Sequence, residues 1–194
     1  RGASPIQWAV INGEEVSGVT IMKMGEGLDD GDIITQRKVN LSDDETGGSL
    51  FDKLSVVGAQ LCADTLKLIE EGKATYTPQD DNASTKVGII KKSLGEIDFT
   101  KSAEQTERLI RGLDPWPSAY TTLSGKMLKI WKAEVLQKND KPGKIIEITK
   151  ESLVIACGSG ALLVKELQLE GKRRMHIEEF LRGAHISEGD ILPS

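Results

Sequence analysis

Histidine and cysteine are almost missing from this chain, which holds two of each in 194 residues. Cys62 and Cys157 are far apart in sequence and have no Cys or His at metal-ligand spacing, so a zinc or iron–sulfur site of the usual pattern is excluded and no metal is expected. Sparse cysteine in apolar stretches fits a reducing cytoplasm, the expected compartment. No apolar run approaches the length of a bilayer span and no signal-peptide pattern is present, so neither membrane insertion nor secretion is expected. Internal repeats and low-complexity segments are absent too. An initiator Met is missing, and Arg1-Gly2-Ala3 is an abrupt opening, which leads to the expectation that an upstream portion lies outside this sequence.

What remains is ordinary globular material, 38% hydrophobic and 28% charged. Its length suits one large or two small domains, and two are expected. Charge is divided unevenly along it. Residues 1–85 hold 7 Lys/Arg and 15 Asp/Glu, a balance of −8, whereas residues 86–194 hold 18 and 15, a balance of +3. An acidic front and a mildly basic back follow. A balance of +3 does not by itself indicate nucleic-acid binding, although local clusters can still meet phosphates.

Hydrophobic spacing predicts a short helix over Ala3–Ile11, a strand over Val16–Met24 and a strand over Ile33–Val39. Leu50, Leu54, Val57, Leu61 and Leu68 then mark a long amphipathic helix that starts after Thr46 and stops at Gly72. Four elements without a complete sheet strengthen the expectation of missing upstream strands. Pro78, Gln79, Asp80, Asp81, Asn82 and Ser84 make a polar stretch read as an interdomain linker. Beyond it, Ser102-Ala-Glu-Gln105 has the form of a capping box for a short helix that Asp114-Pro115-Trp116-Pro117 must end. Five β-rich runs follow, Ala119–Leu123, Lys126–Val135, Lys144–Thr149, Ser152–Cys157 and Ala161–Leu169. That count suggests a small OB-like barrel.

Chemistry, if the chain carries any, concentrates in Gly25-Glu26-Gly27-Leu28-Asp29-Asp30-Gly31-Asp32, where three glycines and four carboxylates break a strand. Calcium is excluded, because Ile33-Ile34 follows Asp32 at once and the alternating ligand spacing with a closing Glu fails. From the residues alone a solvated turn and an active-site loop both stay open.

RGASPIQWAV at the start, GVTIMKMGEGLDDGDII, DPWPSAY at Asp114–Tyr120 and KIWKAEV at Lys129–Val135 resemble, in the right order, successive segments of the methionyl-tRNA formyltransferases. The resemblance covers almost the whole chain. It implies an α/β-plus-β fold: the C-terminal portion of a Rossmann-like formyltransferase domain over residues 1–76, a linker over 77–97, and an OB-like C-terminal tRNA-binding domain over 98–194. It also implies a transferase of translation initiation that moves a formyl group from 10-formyltetrahydrofolate to the amino group of initiator methionyl-tRNA, as a cytoplasmic monomer. Asp29 falls at the position of the family's catalytic Asp. Attack of an amine on a formamide carbon builds an oxyanion and releases a proton, so a donor and a base or water relay are needed. Met24, Gly25, Glu26, Gly27 and Leu28 would line the folate pocket, with glycines admitting the flat pterin. Gly25 stands where an acidic residue is common and Asp30 where Thr is common. The family's catalytic Asn and His sit just before Arg-Gly-Ala-Ser-Pro, outside this sequence, so the chain alone is expected to be inactive.

His176 and His185 fall in the second half and are read as surface or packing residues. Lys91, Lys92, Lys126, Lys129, Lys172, Arg173 and Arg174 are the candidates for tRNA phosphates, against the plainer reading of a solvated face. Trp116 is expected to lock the domain junction and Trp131 to sit in the barrel wall. A sugar-nucleotide N-formyltransferase is the nearest enzymatic alternative, and a non-catalytic OB-like RNA-binding fragment the nearest of another class.

Overall fold

The computed structural model describes residues 1–193 as two compact units, residues 1–90 and 91–193. In the first unit, helix α1 (Pro5–Asn12) starts with proline at its first position and ends at Gly13 in the left-handed region. Strands β1 (Val16–Met22) and β2 (Ile33–Asn40) form an antiparallel pair whose register runs from Val16 opposite Asn40 to Met22 opposite Ile33. Helix α2 (Gly47–Glu70) begins at Thr46, whose hydroxyl accepts from the Ser49 N–H at 3.0 Å while the Ser49 hydroxyl accepts from the Thr46 N–H at 2.9 Å. Val10, Leu50 and Leu54 bury a small core with Val19 and Val39 packed on it. Leucine spacing therefore located the face of α2 that packs.

A buried carboxylate ties the start of α2 to the preceding turn. Glu45 is only 3% exposed and accepts from the Ser49 hydroxyl at 2.6 Å, from Lys53 and, at 3.4 Å, from the Ser42 N–H. Burial pushes its carboxyl up, but the bonds from Lys53, Ser49 and Ser42 outweigh it and leave it below the ordinary 4.5. A group lowered in the folded state stabilises above its unfolded value and loses that contribution as pH falls through its folded value. Glu45→Gln is expected to cost about 1–3 kcal/mol at pH 7, with the gap to the parent closing below pH 4. Urea midpoints measured at both pH values check this; an equal gap at both would contradict it.

The segment after α2 does not leave the first unit at once. Thr77 exchanges both backbone bonds with Ile33, at 2.8 and 2.9 Å, and the Val87 N–H donates to the Arg1 carbonyl at 2.9 Å. Of the stretch read as a linker, residues 77–90 thus belong to the first unit and residues 91–97 to the second.

The second unit opens with helix α3 (Ala103–Gly112), capped reciprocally by Ser102 and Gln105. Five strands follow within a residue or two of their expected bounds: β3 (Ala119–Leu123), β4 (Lys126–Leu136), β5 (Ile145–Ile148), β6 (Leu153–Ala156) and β7 (Ala161–Leu169). A two-residue strand, β8 (Met175–His176), and a five-residue helix, α4 (Ile177–Leu181), complete it and had no signal in the sequence. Ladder order is β3-β4-β7-β6-β5, with β8 on β7. Phe99, Ile110, Ile130, Ile155, Leu162 and Leu167 fill one core beneath this sheet and α3.

No ladder joins β3 to β5 among the described residues, so strand pairing alone does not close the sheet. The physical reason lies at the two edges, each of which finds a different partner. Along β3, the Ile97 N–H donates to the Tyr120 carbonyl at 2.8 Å. Along β5, the tail takes the open positions: Ile145 donates to the Asp190 carbonyl at 2.8 Å, Gly189 to the Ile145 carbonyl at 2.8 Å and Leu192 to the Gly143 carbonyl at 2.8 Å. The Thr121 hydroxyl of β3 then donates to the Pro193 carbonyl at 2.9 Å.

Cys157 follows β6 and is 1% exposed, and burial pushes its thiol up to about 11 against a lesser opposing bond with Thr106. Cys62 on α2 is exposed. A thiol reagent at pH 8 is expected to label one cysteine rapidly in the folded chain and the second only after unfolding. Two fast equivalents in the folded chain would reject it.

Candidate functional site

The carboxylate-rich loop lies between the paired ends of β1 and β2. At its neck the Lys23 N–H donates to the Asp32 carbonyl at 2.9 Å, and a side chain at Gly31 would place its Cβ 1.6 Å from the Lys23 carbonyl oxygen. Only glycine closes the loop there. Asp30 points inward and accepts from the Gly27 N–H at 3.0 Å, while a Cβ at Gly25 or Gly27 would meet its carboxylate at 2.4 or 2.2 Å.

Asp29 adopts φ 53°, one of three non-glycine residues with positive φ among those described. That conformation costs an ordinary residue about 1–2 kcal/mol, less for Asp, and such strain tends to gather at functional sites. Oδ2 of Asp29 accepts from the Gly2 N–H at 3.1 Å, and its Oδ1 has no hydrogen-bond partner among the described residues. One oxygen is anchored and the other is open. Met24 and Leu28, both strongly exposed, flank the glycines with apolar surface. Glu26 is exposed and makes no ion pair among the described residues. Gly27, Leu28 and Asp30 line an open cavity of about 510 Å³ together with Arg1, Gly2 and Lys86.

Three residues near this loop had no signal in the sequence. Gln79 donates through its side-chain amide to the carbonyls of Asp29, at 3.0 Å, and Gly31, at 2.6 Å. Arg1 donates to the Gln79 side-chain oxygen at 3.0 Å and to Asp81 at 2.6 Å. Gly2 supplies the bond to the Asp29 side chain. Partners 27 to 80 positions away leave no local pattern to read.

In the second unit the seven basic candidates separate into three places. Lys91 and Lys92 are exposed on the turn of Lys92–Gly95. Lys126, Lys172 and Arg173 line a cavity of about 730 Å³ floored by Leu123, Leu169, Met175 and Phe180 and also bordered by His185. Lys129 and Arg174 face the Trp131 ring at 5.6 and 4.9 Å from its centroid. Arg174 donates to Glu166 at 2.6 Å and Asp114 at 3.3 Å, and Arg173 takes both oxygens of Glu179 at 2.5 and 2.7 Å. Both guanidiniums are already paired with carboxylates, which leaves them less available to any further anion. Trp131 lies half-buried on β4, its ring N–H donating to Gln168 at 3.2 Å. Trp116 is largely exposed between two cis X-Pro bonds. His176 is exposed, 4.0 Å from Glu166. No group of three or more His, Cys, Asp or Glu among the described residues is arranged to hold a metal, and no helix there is long and apolar enough to cross a membrane.

Comparison with known proteins gives the geometry a context. The family model for formyl transferase matches residues 1–66, and that for the formyl transferase C-terminal domain matches residues 89–185. A methionyl-tRNA formyltransferase of Agathobacter rectalis is 56% identical over 98% of this chain and 62% of its own length. One from Caldanaerobacter subterraneus is 46% identical over 99% of this chain and 62% of its own length. The chain thus spans about three-fifths of the curated relatives it matches. Among solved structures, HypX from Aquifex aeolicus with tetrahydrofolic acid bound shares the fold at TM-score 0.69 and 20% identity, over all of this chain and 36% of that one. Methionyl-tRNA formyltransferase from Clostridium thermocellum does so at TM-score 0.55 and 23% identity, over 69% of this chain and 57% of that one.

Proposed function

Since the chain belongs to the formyl transferase family, we propose that it supplies the acidic loop and the tRNA-facing module of a methionyl-tRNA formyltransferase. The reaction is formyl transfer from 10-formyltetrahydrofolate to the amino group of methionine on initiator tRNA. The observation that carries this reading is the state of Asp29: left-handed backbone, one carboxylate oxygen anchored on Gly2 and the other without a partner. Such a carboxylate can take up the proton that the amine sheds as it attacks the formyl carbon, directly or through a water it orients. Met24, Gly25, Glu26, Gly27 and Leu28 form the wall on which the folate lies, its flat ring against the glycines and the two exposed apolar side chains.

The oxyanion built in the attack needs a donor that the first unit does not offer as an imidazole, because both histidines belong to the second. The family's Asn and His fill that role in our reading, supplied from outside this sequence. We read the second unit as OB-like, five strands wrapped on one core, with the exposed lysines 91, 92, 126 and 172 meeting phosphates. The same reading makes the protein a cytoplasmic monomer that needs no metal.

Formyl transfer to initiator methionyl-tRNA with 10-formyltetrahydrofolate tests it. The chain alone is expected to give no turnover, and the chain fused behind a segment carrying the Asn and His is expected to give it. Affinity for tRNA should fall about 100-fold between 50 and 200 mM salt if the four lysines each meet a phosphate. Turnover on a sugar nucleotide instead of tRNA, or a flat salt response, would overturn the assignment.

A further inference from the structure

We propose that Gln79 is the positioning residue of the acidic loop, the group that holds Asp29 in its working conformation; this rests on Asp29 being the catalytic carboxylate. Gln79 lies in the polar stretch after α2, half-buried against the loop. Its side-chain amide has two N–H bonds to give, and two carbonyls of the loop receive them, Asp29 at 3.0 Å and Gly31 at 2.6 Å. Which way round the amide sits is settled by its other end, where Arg1 donates to the oxygen at 3.0 Å. A flipped amide would set its N–H bonds against the guanidinium and its oxygen against two carbonyls. Arg1 is itself fixed, its side chain 12% exposed and bonded to Asp81 at 2.6 Å.

The position of these bonds explains what they do. They bracket Asp30: the bond to the Asp29 carbonyl holds the peptide plane that leaves the Asp29 Cα and so helps set the direction of its side chain, and the bond to Gly31 pins the loop two residues further on. From Asp29's other side, the Gly2 N–H takes Oδ2. Asp29 at φ 53° is conformationally costly, and without an external hold the loop has lower-energy arrangements to fall into. Gln79 touches no reacting atom in this account, and its effect passes entirely through Asp29. A carboxylate displaced by about an ångström loses a large part of its rate advantage while tRNA contacts elsewhere are unaffected.

The experiment uses an active formyltransferase that contains this chain, with Gln79→Leu, which keeps most of the bulk and removes both donors, and Gln79→Asn as a milder variant should the first fail to fold. Steady-state transfer is expected to show kcat lowered about 10- to 100-fold with KM for tRNA within twofold. In an Asp29→Asn background, Gln79→Leu is expected to change kcat by less than twofold, because the group it positions is gone. Unchanged kcat in both Gln79 variants would overturn the proposal. So would a loss that persists undiminished beside Asp29→Asn, the mark of a general structural role. Should Asp29→Asn itself leave kcat intact, the catalytic reading of Asp29 fails and the positioning role fails with it, an outcome distinct from either of the others.

Discussion

Asp29→Asn, introduced into an active formyltransferase that contains this chain, is expected to lower kcat about 10²- to 10⁴-fold, the usual worth of a positioned acid or base. Asparagine is the informative replacement. Its side-chain oxygen can still accept from the Gly2 N–H, and it tolerates the left-handed backbone about as well as Asp does, so the loop keeps its shape. What it loses is the capacity to accept a proton. KM for tRNA should therefore stay within a few-fold, since ground-state binding does not use that capacity. Initial rates with saturating folate decide the matter, and a loss below fivefold would remove Asp29 from the chemistry.

The largest expected effect on stability comes from Phe99→Ala. Phe99 is fully buried in the core of the second unit, among Ile97, Ile110, Ile130 and Leu162. Truncation to Ala removes the ring's transfer energy and leaves a cavity that rigid strands cannot close, at a cost of about 3–5 kcal/mol. Domains are typically stable by only 5–15 kcal/mol, roughly, so the second unit would be left marginal. Urea unfolding followed by tryptophan fluorescence measures it; a cost under about 1.5 kcal/mol would mean that the core refills around the missing ring.

The parts legible in the sequence were those governed by neighbours in the chain. Leucine spacing located α2, Thr46 and Ser102 announced their helices, and the break between two β-rich runs separated β3 from β4. Within the loop, glycines and carboxylates were conspicuous together, and the resemblance reduced them to Asp29. The hold on that residue was invisible because Gly2 and Gln79 reach it from 27 and 50 positions away. Polar composition suggested a tether where the structure places a strut, since Gln79 uses its polarity inward. Arg173 and Arg174 stood beside Lys172 among the basic candidates, yet composition gives no warning that Glu179, Glu166 and Asp114 come back to meet the two arginines. β8 and α4 are two and five residues long, too short for any periodicity to register.

The tail that runs beside β5 and touches β3 through Thr121 also sets a boundary for anyone who would trim or extend this protein. Residues 189–193 look dispensable by position, but they occupy hydrogen-bonding groups that would otherwise face outward along a strand. Cutting before Gly189 would leave a bare β5 edge able to recruit a strand from a neighbouring molecule, turning a covered edge into a template for aggregation. A fusion partner belongs after the tail, joined by a spacer long enough that it does not pull Leu192 from its buried seat.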